Sequence, residues 1–250
     1  MSSIIKAEFF KYFKNRWIYC LILMALFPLL FGFALFLDLP SMKIHALFTL
    51  SSFIDSMWSF MITTTLPILF FSYIATQFGE SIRTGQIIYE MTRVSNRQQL
   101  IKHKIYALCL LVILFFISVI LIASLSFYIF IHGSRFGLPL DVESVFSEEI
   151  VGMILGMSYL IFFILLSLYG SFFISGFSMV ISNFVITIII SFISTNDLIS
   201  RYVPGSIIYG AYIPEDQFNY YVVYQGVCFV FLIFFLSLLS INKFKKIDVA

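Results

Sequence analysis

Long apolar runs separated by short polar segments dominate the chain. Between Ile150 and Ser194 there is no Asp, Glu, Lys or Arg, which leaves room for two adjacent membrane-spanning helices. A lipid core about 30 Å thick requires roughly 20 apolar residues per helical span. The pattern therefore predicts an all-α polytopic membrane protein with six transmembrane helices. The predicted spans are residues 17–37, 57–76, 105–131, 150–169, 179–194 and 220–241.

The first 16 residues predict a short amphipathic helix that lies in the headgroup plane of the membrane. As a helix, its residues divide into two faces. The apolar face would hold Ile5, Phe9, Tyr12 and Phe13, and the polar face Glu8, Lys11 and Lys14. The alternative is a cleaved signal peptide. The following apolar run has full span length and ends without a small-x-small cleavage pattern, which favours the interfacial helix.

Composition agrees with a chain whose solvent is mostly lipid, because 61% of the residues are hydrophobic and only 11% are charged. With six spans, both termini and residues 78–104 lie on the same side of the membrane. That side holds 12 of the 15 Lys and Arg residues, whereas the other side holds nine of the 13 acids. The positive-inside rule therefore places both termini in the cytoplasm.

Residues 78–104 form the only long charged segment between two apolar runs, and we call this segment the elbow. Glu80 stands at a predicted helix N-terminus, where a carboxylate complements the exposed amides. Three charged residues recur every seven positions, so a continuous helix would align Arg83, Glu90 and Arg97. An apolar stripe of Ile87, Met91 and Val94 would lie beside them. We expect a helix that docks on a partner; the alternative is a solvated loop whose bases only set topology.

The elbow resembles the first cytoplasmic loop of the type-2, exporter-type permeases of ABC transporters. The matching residues, in family order, are Phe78, Glu80, Gly85, Ile87, Ile88, Ser95, Arg97 and Lys104. Gln86 stands where the family usually has Thr, and Arg93 stands where Pro is common. The basic amphipathic start, the six predicted spans and the long outer segment before the last span are also similar to this family.

The resemblance implies that two permease chains, identical or paralogous, pair in the bacterial cytoplasmic membrane. Each would rest its elbow in a groove of a separate ATPase subunit, which binds ATP and Mg²⁺. No GxxxxGKS/T loop occurs in this sequence, so we expect no nucleotide or other cofactor on this chain. The residues expected at the ATPase contact are Glu80, Arg83, Gly85, Glu90, Arg93 and Arg97.

Export of a hydrophobic or amphipathic substrate, such as a toxin or antimicrobial peptide, is the function that the resemblance implies. The predicted spans contain no Asp, Glu, His, Lys or Arg, which argues against an intramembrane enzyme, a metal site or an ion-coupled transporter. Nothing in the sequence points to nucleic acid. A membrane scaffold or sensor subunit without transport activity remains the alternative.

Two further segments have competing interpretations. The outer segment, residues 195–219, is either an exposed loop or a short hairpin that re-enters the membrane over the exit path. Its candidate residues are Tyr202, Pro204, Gly205, Tyr209 and Pro214. In the fourth span, Gly152 and Gly156 make a small-xxx-small pair, which indicates either a close helix contact or a chance occurrence.

Overall fold

The computed structural model describes residues 3–14, 17–38, 47–92, 97–138, 148–196, 199–209 and 217–245. These residues are almost entirely helical and contain no strand, with one isolated bridge between Phe48 and Gly137. The all-α architecture predicted from the apolar runs is therefore confirmed.

Eleven α-helices, with short π- and 3₁₀-helical turns, make up the described chain. The first seven are α1 (Ser3–Lys14), α2 (Trp17–Ala25), α3 (Phe27–Phe36), α4 (Leu50–Thr63), α5 (Leu66–Ile74), α6 (Glu80–Arg83) and α7 (Gln86–Thr92). The others are α8 (Arg97–Ser126), α9 (Glu148–Gly170), α10 (Gly176–Ile193) and α11 (Phe218–Lys245). The π-helical turns are Ala75–Gly79 and Phe127–Ile131, and the 3₁₀ turns are Ser200–Tyr202 and Ser206–Tyr209.

Five helical stretches of the described residues are long and apolar enough to cross a membrane. They are Trp17–Phe36, Gln98–Ile131, Glu149–Gly170, Gly176–Ile193 and Phe218–Lys245. A sixth candidate is the pair formed by Leu50–Thr63 and Leu66–Arg83, which meets the same test as a unit but bends by 45°. Long apolar helices of this kind are typical of a membrane-embedded protein.

Proline positions account for the breaks inside two of these stretches. Pro28 lies in the first turn of α3 and Pro67 in the first turn of α5, where the missing amide hydrogen costs no intrahelical bond. The Pro28 carbonyl accepts a hydrogen bond of 2.8 Å from the Ser126 hydroxyl of α8. Gly32 lies against the same serine, so that α3 approaches α8 closely.

The core lies around α9. More than half of the spanning window of α9 (56%) is buried, against 17% for α10 and for α11. Large side chains from different helices meet in this core, including Trp58, Phe71, Tyr159 and Phe163, which are at most 1% exposed. The outer faces of α10, of α11 and of the α2–α3 stretch, whose window is 22% buried, are therefore left for lipid or for another chain.

The start of α4 differs from the sequence prediction. The second predicted span begins at residue 57, but α4 already begins at Leu50. Thr49 caps this helix: its hydroxyl accepts from the Ser52 amide, and the Ser52 hydroxyl accepts from the Thr49 amide. This capping box fixes the helix start in a polar stretch, where apolar periodicity gives no signal. Asp55 is consequently helical and close to the end of a candidate span.

Candidate functional site at the helical elbow

The elbow begins as a continuation of α5 and not as a new helix. The π-helical turn Ala75–Gly79 joins α5 to α6, and the amide of Glu80 donates to the carbonyl of Ala75. Glu80 therefore does not stand at a free helix N-terminus, and the predicted role of its carboxylate in complementing exposed amides was wrong. Single π-turns of this kind are frequent at functional sites.

A sharp break divides the elbow at Thr84 and Gly85. Gly85 has φ +73°, a left-handed conformation that glycine adopts without steric cost. The predicted continuous stripe of Arg83, Glu90 and Arg97 is therefore wrong, because the first two lie on separate helices. Residues 93–96, which include the predicted Arg93, Val94 and Ser95, lie outside the described residues. Arg97 is the first residue of α8.

The helix after the break, α7, has a buried and an exposed side. Ile87 and Met91 are buried against the bundle, as the apolar stripe predicted. Tyr89 points away and is 71% exposed, and Arg83 on α6 is exposed as well. Tyrosine and arginine are both enriched in protein-binding surfaces. The sequence analysis did not select Tyr89, because one tyrosine in a polar segment gives no periodic signal.

Four charged side chains from three helices meet under the bundle, and we call this cluster the charged junction. Its members are Glu8 and Lys11 of α1, Glu90 of α7 and Lys104 of α8. The Lys104 ammonium lies 3.0 Å from Glu8 Oε1 and 2.8 Å from Glu90 Oε2. The Lys11 ammonium lies 2.9 Å from Glu8 Oε1 and 2.6 Å from Glu90 Oε1. Each acid therefore contacts both bases, and the interfacial helix, the elbow and the third predicted span are joined.

Burial makes the charged junction different from a surface ion pair. Glu8 and Lys104 are 5% and 9% exposed. Burial alone would raise the pKa of Glu90, but the charges and hydrogen bonds of Lys104 and Lys11 outweigh it and hold that pKa below its ordinary value. Burial alone would lower the pKa of Lys11. The hydrogen bonds and charges of Glu90 and Glu8 outweigh that effect, so the pKa of Lys11 lies above its ordinary value. Both groups are therefore held in the charged form.

The position of Glu8 corrects the predicted faces of α1. Glu8 was assigned to a polar face with Lys11 and Lys14, yet it is buried on the same side as Tyr12. Phe13, assigned to the apolar face, is 65% exposed, so it remains free to contact lipid as predicted for an interfacial helix. The reason is tertiary: Lys104 follows Glu8 by 96 positions and supplies the buried countercharge. The sequence did offer one signal that Glu8 is unusual, since it is the only acid among the first 37 residues.

A polar cavity of about 250 Å³ lies beside the charged junction, between α1, α5, α7 and α8. Its lining includes the four junction residues together with Tyr12, Tyr73, Gln77, Ser81 and Gln86. Such a volume accommodates several water molecules. Part of the elbow therefore lies over a polar cavity and not over a continuous apolar core.

The outer segment packs into the opposite end of the bundle. Gly205 has φ +93°, and its amide donates to Gln225 Oε1 of α11 over 3.1 Å. Gln225 Nε2 in turn donates to the Ser206 hydroxyl over 3.0 Å. A methyl group on Gly205 would lie 2.7 Å from the Tyr159 ring, so only glycine fits here. Tyr159 follows Glu148, the first residue of α9, by roughly 16 Å at 1.5 Å per residue. The contact with Gly205 therefore lies well along α9 and not at its start.

Tyrosines surround this segment. The hydroxyl groups of Tyr159 and Tyr209 are 2.9 Å apart and form a hydrogen bond. Tyr202 is 57% exposed and meets Tyr221 and Tyr224 edge to face, at ring-centroid distances of 5.9 and 6.3 Å. Pro204 lies in the turn that precedes Gly205. Residues 210–216, with the predicted Pro214, lie outside the described residues.

The two glycines of the fourth predicted span both lie against α4. A methyl group on Gly156 would lie 2.7 Å from Ile62 Cδ1 and 2.9 Å from Trp58 Nε1. On Gly152 the nearest atom would be Asp55 Oδ1 at 3.6 Å, an ordinary contact. The helices thus approach most closely at Gly156, where the Trp58 indole donates to the Met153 carbonyl over 3.1 Å.

Two parts of the elbow are thus suited to different tasks. Arg83 and Tyr89 are exposed, whereas Glu90 is ion-paired to Lys11 of α1 and Lys104 of α8 in the charged junction. Within the described residues, α7 therefore connects an exposed surface to α1 and α8 through the charged junction. Comparison with protein-family models gives no match to this chain, and comparison with curated proteins gives none either.

Proposed function

We propose that this chain is the membrane permease subunit of an ATP-driven exporter of the ABC type. It would cross the bacterial plasma membrane six times, with α4 and α5 counted as one bent span and both termini in the cytoplasm. ATP and Mg²⁺ would bind to a separate ATPase subunit, and a second permease chain, identical or paralogous, would complete the pathway. The distribution of Lys and Arg in the sequence supports this orientation.

The charged junction is the observation on which the proposal depends most. An ATPase that displaces α7 pulls on Glu90, and Glu90 is ion-paired to Lys11 of α1 and to Lys104 of α8. Because Lys104 precedes the long apolar part of α8, the same displacement reaches a membrane span directly. A solvated loop that only set topology would not require Glu90 to be ion-paired to bases on two other helices, Lys11 of α1 and Lys104 of α8.

Energy must come from the partner in this scheme. A ligand shifts a conformational equilibrium only by its differential affinity for the two states. The sequence has no phosphate-binding loop, so the affinity difference for ATP arises on the ATPase and reaches this chain through the elbow. The exposed pair Arg83 and Tyr89 is the surface through which we expect that contact.

An amphipathic or hydrophobic peptide is the proposed substrate. The helices that would line the pathway offer mostly Phe, Ile, Leu, Tyr, Ser and Thr side chains, which suit a cargo that enters from the bilayer. Deletion of the chain is expected to raise intracellular or membrane accumulation of such a peptide in the native host. Unchanged levels across a panel of hydrophobic peptides would refute the substrate class and leave the permease assignment open to its own test.

Copurification tests the partner. We expect a nucleotide-hydrolysing subunit to copurify with the tagged chain from its native membrane, and Arg83→Glu or Tyr89→Ala to abolish that association. Lys102→Glu is the matched control, because Lys102 is an exposed base on the same predicted side. Failure to recover any nucleotide-hydrolysing subunit with the unmodified chain would overturn the proposal, as would vectorial transport by the purified chain alone.

The charged junction is tested by separating association from coupling. Lys104→Met removes a buried base and leaves the exposed surface of the elbow intact, so the partner is expected to remain bound. Substrate transport should nevertheless fall by at least tenfold, whereas Lys102→Met should transport normally. Retention of the partner with no transport by any variant, including the unmodified chain, would favour the scaffold or sensor function.

A further inference from the structure

An apolar groove of about 340 Å³ runs along the outside of the molecule between α1, the α2–α3 stretch and α8. We call it the lateral groove. Its lining is almost entirely hydrocarbon and includes Phe9, Phe13, Leu21, Leu26, Leu111 and Ile122. Concave apolar surface in a spanning region gives one chain of a lipid more contacts than the convex faces of neighbouring helices do.

The dimensions and chemistry of the lateral groove match a lipid acyl chain. From Leu111 to Ile122 the groove follows α8 for roughly 16 Å, at 1.5 Å per residue. Ser118 contributes a hydroxyl to the lining, but that hydroxyl already donates to the Phe115 carbonyl over 2.6 Å. An occupant therefore finds no polar partner along this length, which suits a hydrocarbon chain but not an extended polypeptide backbone.

Positive charge lies at one end of the lateral groove. Phe9 and Phe13 of α1 form that end, and Lys6 precedes them by three and seven residues, which places it on the same side of the helix. Lys6 and Lys14 are both exposed. A headgroup attached to a chain in the groove would therefore meet exposed lysines, and a base near an anionic lipid surface is worth about 1 kcal/mol.

We infer that the lateral groove binds one acyl chain of an anionic diacyl phospholipid, with its headgroup at Lys6 in the leaflet where α1 lies. The opposite side of α1 contributes Glu8 and Lys11 to the charged junction. Occupancy of the groove would therefore steady α1 against the elbow, and the anionic lipid content of the membrane would regulate the junction. This inference rests on membrane embedding alone and does not depend on the permease proposal.

Photo-crosslinking tests this site in the full chain, reconstituted in vesicles. The probes are phosphatidylglycerol and phosphatidylcholine analogues that carry a diazirine on one acyl chain, with labelled peptides mapped by mass spectrometry. We expect labelling to concentrate on residues 18–26 and 111–122. We expect the phosphatidylglycerol probe to label these peptides about fivefold more than the phosphatidylcholine probe, the factor that corresponds to one base near the surface.

Matched variants separate the groove from the general lipid contact. Ser118→Phe fills the groove and should abolish the concentrated labelling, whereas Ser124→Phe, the same change elsewhere on α8, should retain it. Lys6→Gln should remove the preference for phosphatidylglycerol while labelling persists, and Lys245→Gln should not. Equal labelling of the groove and of the exposed face of α11, or equal labelling by the two probes in the unmodified chain, would overturn the inference.

Discussion

A single glycine sets the closest approach of two helices in the core. At Gly156 any β-carbon would meet Ile62, which is fully buried, and the ring of Trp58, which is 1% exposed and hydrogen-bonded. Neither neighbour has free space to move into. Gly152, one turn earlier, has the same sequence context and an ordinary contact distance. The two glycines of one small-xxx-small pair therefore differ in how well they tolerate a larger side chain.

Gly156→Ala is expected to destabilise the protein, whereas Gly152→Ala is expected to be neutral or slightly stabilising. Alanine in a helix gains about 1 kcal/mol over glycine at both positions. At Gly156 the overpacking cost of about 1 to 3 kcal/mol opposes that gain. Thermal unfolding in detergent, followed by the intrinsic fluorescence of Trp17 and Trp58, measures both variants. Equal stability of the two variants would contradict the close contact at Gly156.

At the scale of the helices, the charged junction explains how α7 of the elbow is held against the bundle. Apolar contacts through Ile87 and Met91 hold one side of α7, and Glu90 anchors the same helix to two bases. Removing one member of a buried ion pair is costly because the remaining charge stays desolvated. The attachment of α7 to the bundle should therefore depend on the protonation states of the charged-junction residues.

The stability that the charged junction contributes should be confined to a window of pH. The pKa of Glu90 is lowered on folding, so its contribution is present above its unfolded pKa and is lost as pH falls through the lowered folded pKa. The pKa of Lys11 is raised, so its contribution is present below its unfolded pKa and is lost as pH rises through the raised value. The melting temperature should therefore fall at acid pH, which is the acid limb of the profile, and again at alkaline pH.

Glu90→Gln should flatten the acid limb of that profile, because the amide does not titrate. Glu80→Gln is the matched control, since Glu80 is exposed on the neighbouring α6. Identical acid limbs for the unmodified chain and for Glu90→Gln would refute an electrostatic role of the junction.

The outer segment is the second element held by a small number of polar contacts. Gln225 is fully buried and bonds both Gly205 and Ser206. Gln225→Leu leaves the Gly205 amide without that partner, at a cost of about 1 to 3 kcal/mol for a buried donor. The segment should then open more often. A cysteine at Ile207, in a background without the native cysteines, should react faster with a membrane-impermeant thiol reagent.

Asn219→Leu serves as the control for that experiment, because Asn219 is exposed near the start of α11. It should leave the labelling rate at position 207 unchanged. An unchanged rate in Gln225→Leu as well would mean that Gln225 does not restrain the segment.

Local and tertiary signals explain which elements the sequence could predict. Apolar run length is a local property, and it predicted the helical, membrane-embedded character. The division of the elbow at Gly85 depends on a backbone conformation, and the charged junction depends on a contact between Glu8 and Lys104, which are 96 positions apart. Helical periodicity assigns an isolated acid to the polar face, so it placed Glu8 on the wrong side.

For the whole molecule, the two ends of the bundle have different chemistry. One end holds the charged junction and the exposed bases of α1 and α8. The other holds the outer segment, with hydrogen bonds between uncharged groups such as Gln225 and Ser206, and an exposed ion pair between Arg135 and Asp38. A bilayer imposes such an asymmetry because basic residues remain on the cytoplasmic side during insertion. Orientation is therefore a property that can be measured independently of any partner.

We expect the elbow and the turn after α8 to lie on opposite sides of the membrane. In a background without Cys20, Cys109 and Cys228, cysteine at Thr84 should react with an impermeant reagent only after the cells are opened. Cysteine at Ser134 should react in intact cells. In the six-span topology predicted from the sequence, 12 of the 15 bases lie on the elbow side, and near an anionic leaflet each contributes about 1 kcal/mol, so a mixed orientation is not expected. Labelling of Thr84→Cys in intact cells would refute both the orientation and the coupling proposal, because no cytoplasmic ATPase could then reach the elbow.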